Sequence, residues 1–455
     1  MNACPEDLAE SEVDWEFLRR FEASYCQRFT LHELIALDPL MSQAYHHRDI
    51  YYHPANKALL YKNLELHLRW LEELFRQIDA EAVITINFQY FIKAAAFTMA
   101  QALRIPYLMV STSRIGDLHL VYDNFSLGTP HHVEQEMRRL QDAGDACTDA
   151  AAYMRRIAQD NRPAYRDFEK TLARIHTRMS LRLRLAELWR YLYRYPRKAL
   201  FIDKHYRGIF RRNYFLPSYF SVLRIMLVSI WRRIGYFRRP ELTRTDLPAG
   251  PFIYFALHLM PENSVLTLSR TFDEMECLFQ LAKALPVGWR VVVKANPNML
   301  ADFDTHPNHY YLAMSKLANV QFVHPLVPSA QVLKAARAVA AISGTVLLEG
   351  AVCGKPGFHW GRTEFEAVNT IQPFHPERLQ RRLEETQESN VRFYLQACIN
   401  LGFSLDPSVV NHPVATPLDE SRQRDYETQI AALEQALARF LLPERRPHPA
   451  PAPVA

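Results

Sequence analysis

Glycine is scarce in this chain. Thirteen occur in 455 residues, and none precedes Gly116, so no glycine-rich phosphate loop opens the protein. Cysteine is sparse as well: the six, at 4, 26, 147, 277, 353 and 398, have none of the paired spacings that bind zinc or form a redox dithiol. That distribution fits a reducing cytoplasm. The most apolar stretch, IMLVSIW at 225–231, falls far short of the ~20 residues a spanning helix needs, and Arg224 and Arg232 bracket it. The opening MNACPEDLAESEVDWEF is acidic where a secretion signal is basic and then apolar. His46, His47 and His53 lack carboxylate or cysteine companions at ligand spacing, so no metal site is expected.

What is present alternates between strand and helix. The length predicts two or three domains. Residues 56–79 place Leu60, Leu64, Leu68, Leu71, Phe75 and Ile78 at the spacing of a helix with one buried face. AVITIN (82–87), the helical FIKAAAFTMAQAL and PYLMVS (106–111) then form a strand–helix–strand unit. Residues 129–236 read as successive helices, and RRPELTRTDLPAGP (238–251) as a linker. Beyond it FIYFAL, WRVVVK, VQFV, AVAAIS and GFHW are five short strands with helices between them, a doubly wound α/β domain. The divisions expected are a Rossmann-like domain over 1–145, basic aromatic helices over 146–240, a second Rossmann-like domain over 250–385, C-terminal helices over 386–442 and a disordered Pro/Ala-rich tail over 443–455.

Ligands in such sheets sit outside the carboxyl ends of the strands, so chemistry is sought there. The stretch VAAISGTVLLEGAVCGKPGFHWG (339–361) holds five of the thirteen glycines, which marks tightly folded loops. Its strand ends in Ser343, Gly344 and Thr345, where a helix starts with Glu349 one turn on. Amides at that start suit a phosphate, and Glu349 suits ribose hydroxyls. The bland alternative is a Ser or Thr that only caps the helix. The helix ends in Cys353-Gly354-Lys355-Pro356, a stop signal that places a second glycine-bearing loop nearby. In WRVVVKANPN, Lys294 and the Asn296-Pro297 loop could supply charge to a leaving phosphate, or Lys294 could be a solvated lysine after an apolar strand. In LHLMPENS, His258 and Glu262 are candidate acid or base groups at the cleft, against a structural role for either. His306 and His324 are weaker candidates.

These strings together, FIYFALHLMPENS, LAKALPVGWRVVVKANPNM and LANVQFVHPLVPSAQVLKAARAVAAISGTVLLEGAVCGKPGFHWG, resemble the bacterial capsule polysaccharide biosynthesis family, which includes Kdo transferases. The likeness covers roughly 250–365, and more loosely AEAVITIN and Ala102 to Asp117. It implies a GT-B-like fold, two Rossmann-like domains facing a cleft, the first for the acceptor and the second for the donor nucleotide. It further implies that Ser343, Gly344, Thr345 and Glu349 grip the nucleotide, that Lys294, Asn296 and Pro297 hold its phosphate, and that His258 and Glu262 face the sugar. Gly354 and Lys355 are counted with the nucleotide pocket. The donor implied is a CMP-, UDP- or GDP-linked sugar, with no further cofactor. Family members acting on CMP-linked sugars have His-Pro where this chain has Asn296-Pro297, and asparagine cannot carry charge or deliver a proton. The missing opening strand and glycine loop are a second departure.

Charge is unevenly placed. Residues 174–239 carry seventeen Lys/Arg against Glu187 and Asp203, about +15, within a chain whose net charge is +5. Fourteen aromatics are interleaved. Arginine with Trp and Tyr on amphipathic helices suits an anionic bilayer surface. A helical hairpin packed on the first domain is the structural alternative, and no nucleic-acid module is present. The resulting expectation is a cytoplasmic glycosyltransferase, peripheral on the inner membrane, moving sugar from a nucleotide donor to a lipid-linked or glycan acceptor, within a capsule assembly complex. A nucleotide-sugar epimerase, a glycerophosphotransferase or a non-catalytic capsule export accessory on the same fold are the rivals.

Overall fold

The computed structural model describes residues 12–27, 29–37, 57–86, 91–123, 128–160, 185–186, 189, 219–258, 265, 269, 271, 273–296, 307–385, 387–405 and 420–441. The first lobe opens with helices α1 (Trp15–Tyr25), α2 (Leu31–Ala36) and α3 (Lys57–Gln77). The Asp14 carboxylate caps α1 by accepting from the Phe17 amide, and Thr30 and Glu33 cap α2 reciprocally. On α3 the leucines at 60, 64, 68 and 71 are buried as their spacing predicts. Ile78 lies past the helix end and is exposed.

Strand β1 (Val83–Ile86), helix α4 (Phe91–Ala102) and strand β2 (Tyr107–Thr112) form the expected unit, with β1 and β2 parallel. Strand β3 (Leu118–Tyr122) turns back antiparallel on β2. Helices α5 (His131–Asp142), α6 (Thr148–Asp160) and α7 (Tyr219–Phe237) follow, then a single 3-10 turn at Pro240–Leu242.

The second lobe runs β4 (Phe252–Ala256), α8 (Glu274–Ala284), β5 (Arg290–Lys294), α9 (Asn308–Ser315), β6 (Val320–Val323), α10 (Ser329–Ala335), β7 (Ala338–Ala341), α11 (Val346–Val352), β8 (Gly357–His359), β9 (Ile371–Pro373) and α12 (Pro376–Glu384). Its six strands are all parallel in the order β6-β5-β4-β7-β8-β9. Numbered within the lobe that is 3-2-1-4-5-6, the dinucleotide-binding arrangement, and the strand order reverses between β4 and β7. Helix α13 (Val391–Leu401), strand β10 (Phe403–Ser404) and helix α14 (Glu420–Leu441) close the chain. They return to the first lobe: β10 pairs antiparallel with β3, and α13 packs on α5 and α6. The fold is α/β and GT-B-like, two Rossmann-like units, the first reduced to a four-stranded mixed sheet.

Two features differ from the sequence expectation. Strands β3, β9 and β10 go unforeseen: β9 and β10 are three and two residues long, and β9 ends in a proline that reads as a loop, though a proline is tolerated on an edge strand. The 238–251 stretch is a packed strap instead of a free linker. Arg244 bridges Val323 in parallel fashion, its carbonyl accepts from the His324 amide at 2.7 Å, and the Asp246 carbonyl accepts from Gln321 Nε2 at 2.7 Å. The strap covers the free edge of β6, where unpaired backbone would otherwise face water.

Alternation along the strands sorts the second sheet into two faces. Ile253, Phe255, Val291, Val293, Ala338 and Ala340 pack under α8, α9 and α12. Phe252, Tyr254, Val292, Val339 and Ala341 join a core that continues through α13 into α1, α3 and α4 of the first lobe. One apolar mass therefore ties the two lobes together.

Candidate functional site

The strand order reverses between β4 and β7, which is where such sheets hold their ligands, and the chain places polar residues at those carboxyl ends. His258, two residues past β4, is 5% exposed. Its Nε2 accepts the Ser343 amide hydrogen at 3.4 Å across the reversal point. That contact puts the ring proton on Nδ1. The backbone amide of His258 donates to Glu274 Oε1, a fully buried carboxylate at the start of α8. The ring lies against Gly344, where an added Cβ would stand 3.2 Å from His258 Cε1. Glycine at 344 leaves room for that approach, and a Cβ there would push the imidazole by a few tenths of an ångström. Ser343 Oγ is buried and has no hydrogen-bond partner among the described residues.

Lys294 ends β5 beside Ala256 in the sheet register and is 4% exposed. Its Nζ donates to Ser329 Oγ at 3.0 Å. Burial pulls the ammonium down to about 8, and the charge of Glu349 opposes that pull. Tyr254 points to the same sheet face one pleat below; burial raises its hydroxyl well above the ordinary range, opposed by its hydrogen bond with Ser329 and aided by Glu349. Glu349, in the first turn of α11, is half-buried and also acts on Tyr153 of α6 in the first lobe. Burial chiefly holds the Tyr153 hydroxyl at about 12, with Arg156 and the Gly116 amide opposing and Glu349 adding to the rise. The charge of Glu349 thus acts on Lys294 and Tyr254 of its own lobe and on Tyr153 of the other.

The sequence matches no family model and no curated protein. Among solved structures the chain is similar to Thermosulfurimonas dismutans KpsC, a beta Kdo 2,4 transferase, at 10% identity and a TM-score of 0.36, over 78% of this chain and 92% of that one. It is similar also to UDP-GlcNAc 2-epimerase from Neisseria meningitidis bound to UDP-GlcNAc, at 11% identity and a TM-score of 0.25 over 77% and 82% of the two chains. The glycotransferase of kitacinnamycin is similar at 13% identity and a TM-score of 0.23, over 90% and 95%.

Of the residues singled out in the sequence, His258, Lys294, Asn296, Ser343, Gly344, Thr345 and Glu349 fall at or just beyond the carboxyl ends of β4, β5 and β7. Glu262, Pro297 and His306 lie outside the described residues. Gly354 and Lys355 need correcting. Helix α11 carries the chain back across the sheet, so they sit at the amino ends of β7 and β8, where the Pro356 carbonyl accepts from the Val339 amide. Gly354, at φ +69°, ends the helix there, away from the crevice.

The helix start at Thr345 also differs from expectation. Thr345 makes no side-chain cap, and α11 is only seven residues long, so little dipole stands behind it. Lys294, 4% exposed, is a buried cation at the carboxyl end of nearby β5. His324 directly follows β6, and burial together with Lys294 lowers its pKa. Ser329, Tyr254 and Tyr153 escaped the sequence reading. Only Tyr254 left a trace, as the one hydroxyl in the apolar strand FIYFA. Among the described residues no group of three or more His, Cys, Asp or Glu could hold a metal ion. Nor, among them, is any helix long and apolar enough to cross a membrane.

Proposed function

We propose that this chain is a glycosyltransferase of capsule or related surface polysaccharide synthesis. It takes a nucleotide-activated sugar into the crevice at the carboxyl ends of β4, β5 and β7 and passes the sugar to a lipid-linked or glycan hydroxyl at the inner membrane. The observation that carries the reading is Lys294, a buried lysine at the carboxyl end of β5, one strand from the order reversal, on whose charge Glu349 acts. A cation held in a dry crevice attracts an anion far more strongly than one in water. Negative charge builds on the phosphate as the glycosidic bond breaks, and Lys294 with the Gly344 and Thr345 amides would meet it. Glu349 lies within reach of both lobes and suits the ribose hydroxyls. His258 orients the Ser343–Gly344 loop through its Nε2 contact. The residue that accepts the acceptor's proton is assigned to Glu262 on sequence alone.

The test is binding followed by turnover. CMP, UDP and GDP and their sugar conjugates are screened by thermal shift and calorimetry, then a lipid acceptor is scored by mass. Wild type is expected to bind one nucleotide class, and Lys294→Ala and Glu349→Ala to weaken that binding at least about tenfold, the scale of one charge-assisted hydrogen bond. Equal binding by both variants would move the pocket elsewhere. Asn296, where CMP-sugar enzymes carry histidine, favours a second reading as a non-catalytic accessory, which predicts no thermal shift with any nucleotide. An epimerase would consume donor with no acceptor present.

A further inference from the structure

The basic segment contains two nine-residue strings of one design. RLRLAELWR (182–190) and RIMLVSIWR (224–232) share Arg, an aliphatic, Leu, an aliphatic, Trp and Arg at the same six positions. In each, the leucine and the tryptophan stand four apart, one helical turn. Leu185 is 50% exposed and Trp189 71%; Leu227 is 49% exposed and Trp231 76%. Large apolar side chains so exposed and so paired mark an interaction surface, since single exposed residues are common but repeated clusters are not.

Helix α7 shows how the second string is built. Leu227 and Trp231 stand outward four residues apart, half-buried Ile234 follows three residues on, and exposed Arg238 continues the line beyond the helix. The opposite side packs on α9: the rings of Tyr236 and Tyr311 lie 5.3 Å apart, and Asn308 Nδ2 donates to the Arg232 carbonyl at 2.9 Å. Arg233, 8% exposed, belongs to that inner side. The helix therefore carries apolar side chains on both sides, Tyr236 inward with Arg233, and Leu227 and Trp231 outward. A surface helix of a water-exposed protein turns polar residues outward, so the exposed Leu/Trp pair is the unusual feature.

We propose that the two Leu/Trp pairs are prongs that seat this chain on an anionic lipid bilayer. The inference deepens the transferase reading by naming the residues that meet the membrane, but it stands on exposure, spacing and charge alone. Seventeen Lys/Arg in 174–239 make a second copy of the same surface a poor occupant, because like charges would be brought together. Nucleic acid would engage the arginines and rings, but it offers nothing to the leucines and isoleucines between them. A bilayer satisfies all three: aliphatic side chains enter the acyl boundary, tryptophan rings lie at headgroup level, and arginines reach back to lipid phosphate.

The experiment is vesicle co-sedimentation of the full chain without nucleotide or acceptor. Phosphatidylcholine vesicles are compared with vesicles that also contain phosphatidylglycerol. Wild type is expected to bind the anionic vesicles, more weakly as salt rises, and to leave the neutral ones. The double variant Leu227→Ser/Trp231→Ser is expected to bind at least about tenfold more weakly, as loss of apolar contact of that size implies. Adding Leu185→Ser/Trp189→Ser abolishes binding, and the far-ultraviolet circular dichroism and unfolding midpoint stay at wild-type values because all four side chains are exposed. Anionic-vesicle binding unchanged in the quadruple variant would overturn the proposal. So would a wild type that ignores both vesicles, one that binds single-stranded DNA in their place, or a dimer that the variants dissolve without lipid. Because no donor is present, a failure here leaves the nucleotide site untouched, and a failure of nucleotide binding leaves this result standing.

Discussion

Tyr122 of β3 donates its hydroxyl hydrogen to Glu364 Oε2 at 2.5 Å, which joins the first lobe to the loop between β8 and β9 of the second. Arg114 Nε meets the other oxygen of the same carboxylate at 3.2 Å, and the Glu364 carbonyl accepts from Thr129 Oγ1 at 2.9 Å and from the Tyr394 hydroxyl at 3.2 Å. Both lobes therefore converge on one residue. Because Tyr122 is fully buried, its hydroxyl cannot turn to water if the carboxylate is lost.

Glu364→Ala is predicted to lower unfolding stability by about 2–3 kcal/mol, the cost of leaving buried donors without a charged acceptor. Glu364→Gln, which keeps an acceptor oxygen for Tyr122, should lose less. Chemical denaturation of the three proteins side by side measures the order, and an alanine variant as stable as wild type would show that the lobes are held by the shared apolar core alone.

Two glycines of the 339–361 cluster have different duties, and substitution separates them. At Gly350 a Cβ would stand 2.5 Å from Val339 Cγ2, inside helix-on-strand packing. Gly350→Ala is predicted to cost about 1–3 kcal/mol of stability through overpacking, read as a fall in the denaturation midpoint.

At Gly344 the added Cβ would press on the His258 ring at 3.2 Å and touch Ala341 Cβ at an ordinary 3.5 Å. Gly344→Ala should unfold near the wild-type midpoint yet bind nucleotide more weakly, because the imidazole is pushed from its contact with the Ser343 amide. Gly344→Ala combined with His258→Ala should lose less than the two single effects added together, since the second change removes the obstacle. Additive losses would separate the imidazole from the loop.

Legibility in the sequence followed the physical signal. Five of the six strands of the second lobe were readable because short apolar runs were bounded by turn residues, and Lys294, His258 and Ser343 were readable because they lie at or just past the ends of those runs. Gly354 and Lys355 misled because a glycine that stops a helix and a glycine beside a ligand look alike in one dimension; only the path of α11 back across the sheet tells them apart. Ser329 and Tyr153 carried no local mark, as their place at the crevice depends on which helix lies over which strand. Tyr122 and Glu364, 242 residues apart, meet through the assembly of the lobes, which no short window contains.

The sharpest prediction concerns pH. Burial holds the Lys294 ammonium at about 8, against an ordinary value of 10.5, with Glu349 pulling the other way. Between those values the unfolded chain keeps a proton that the native chain has released, so this site's contribution to stability rises with pH across the window. Below about pH 8 both states are protonated, and the cost of burying the charge is fully present. Lys294→Met removes that cost: it should be more stable than wild type at neutral pH and lack the rise above pH 8. Ligand binding runs the opposite way. A phosphate beside Lys294 stabilises the ammonium and raises its pKa, so nucleotide affinity should fall as pH climbs above 8, and binding in that range should take up a proton. Calorimetry in buffers of different ionisation enthalpy measures the uptake. Affinity that stays constant from neutral pH to well above 8, with no proton taken up, would show that the phosphate does not meet Lys294.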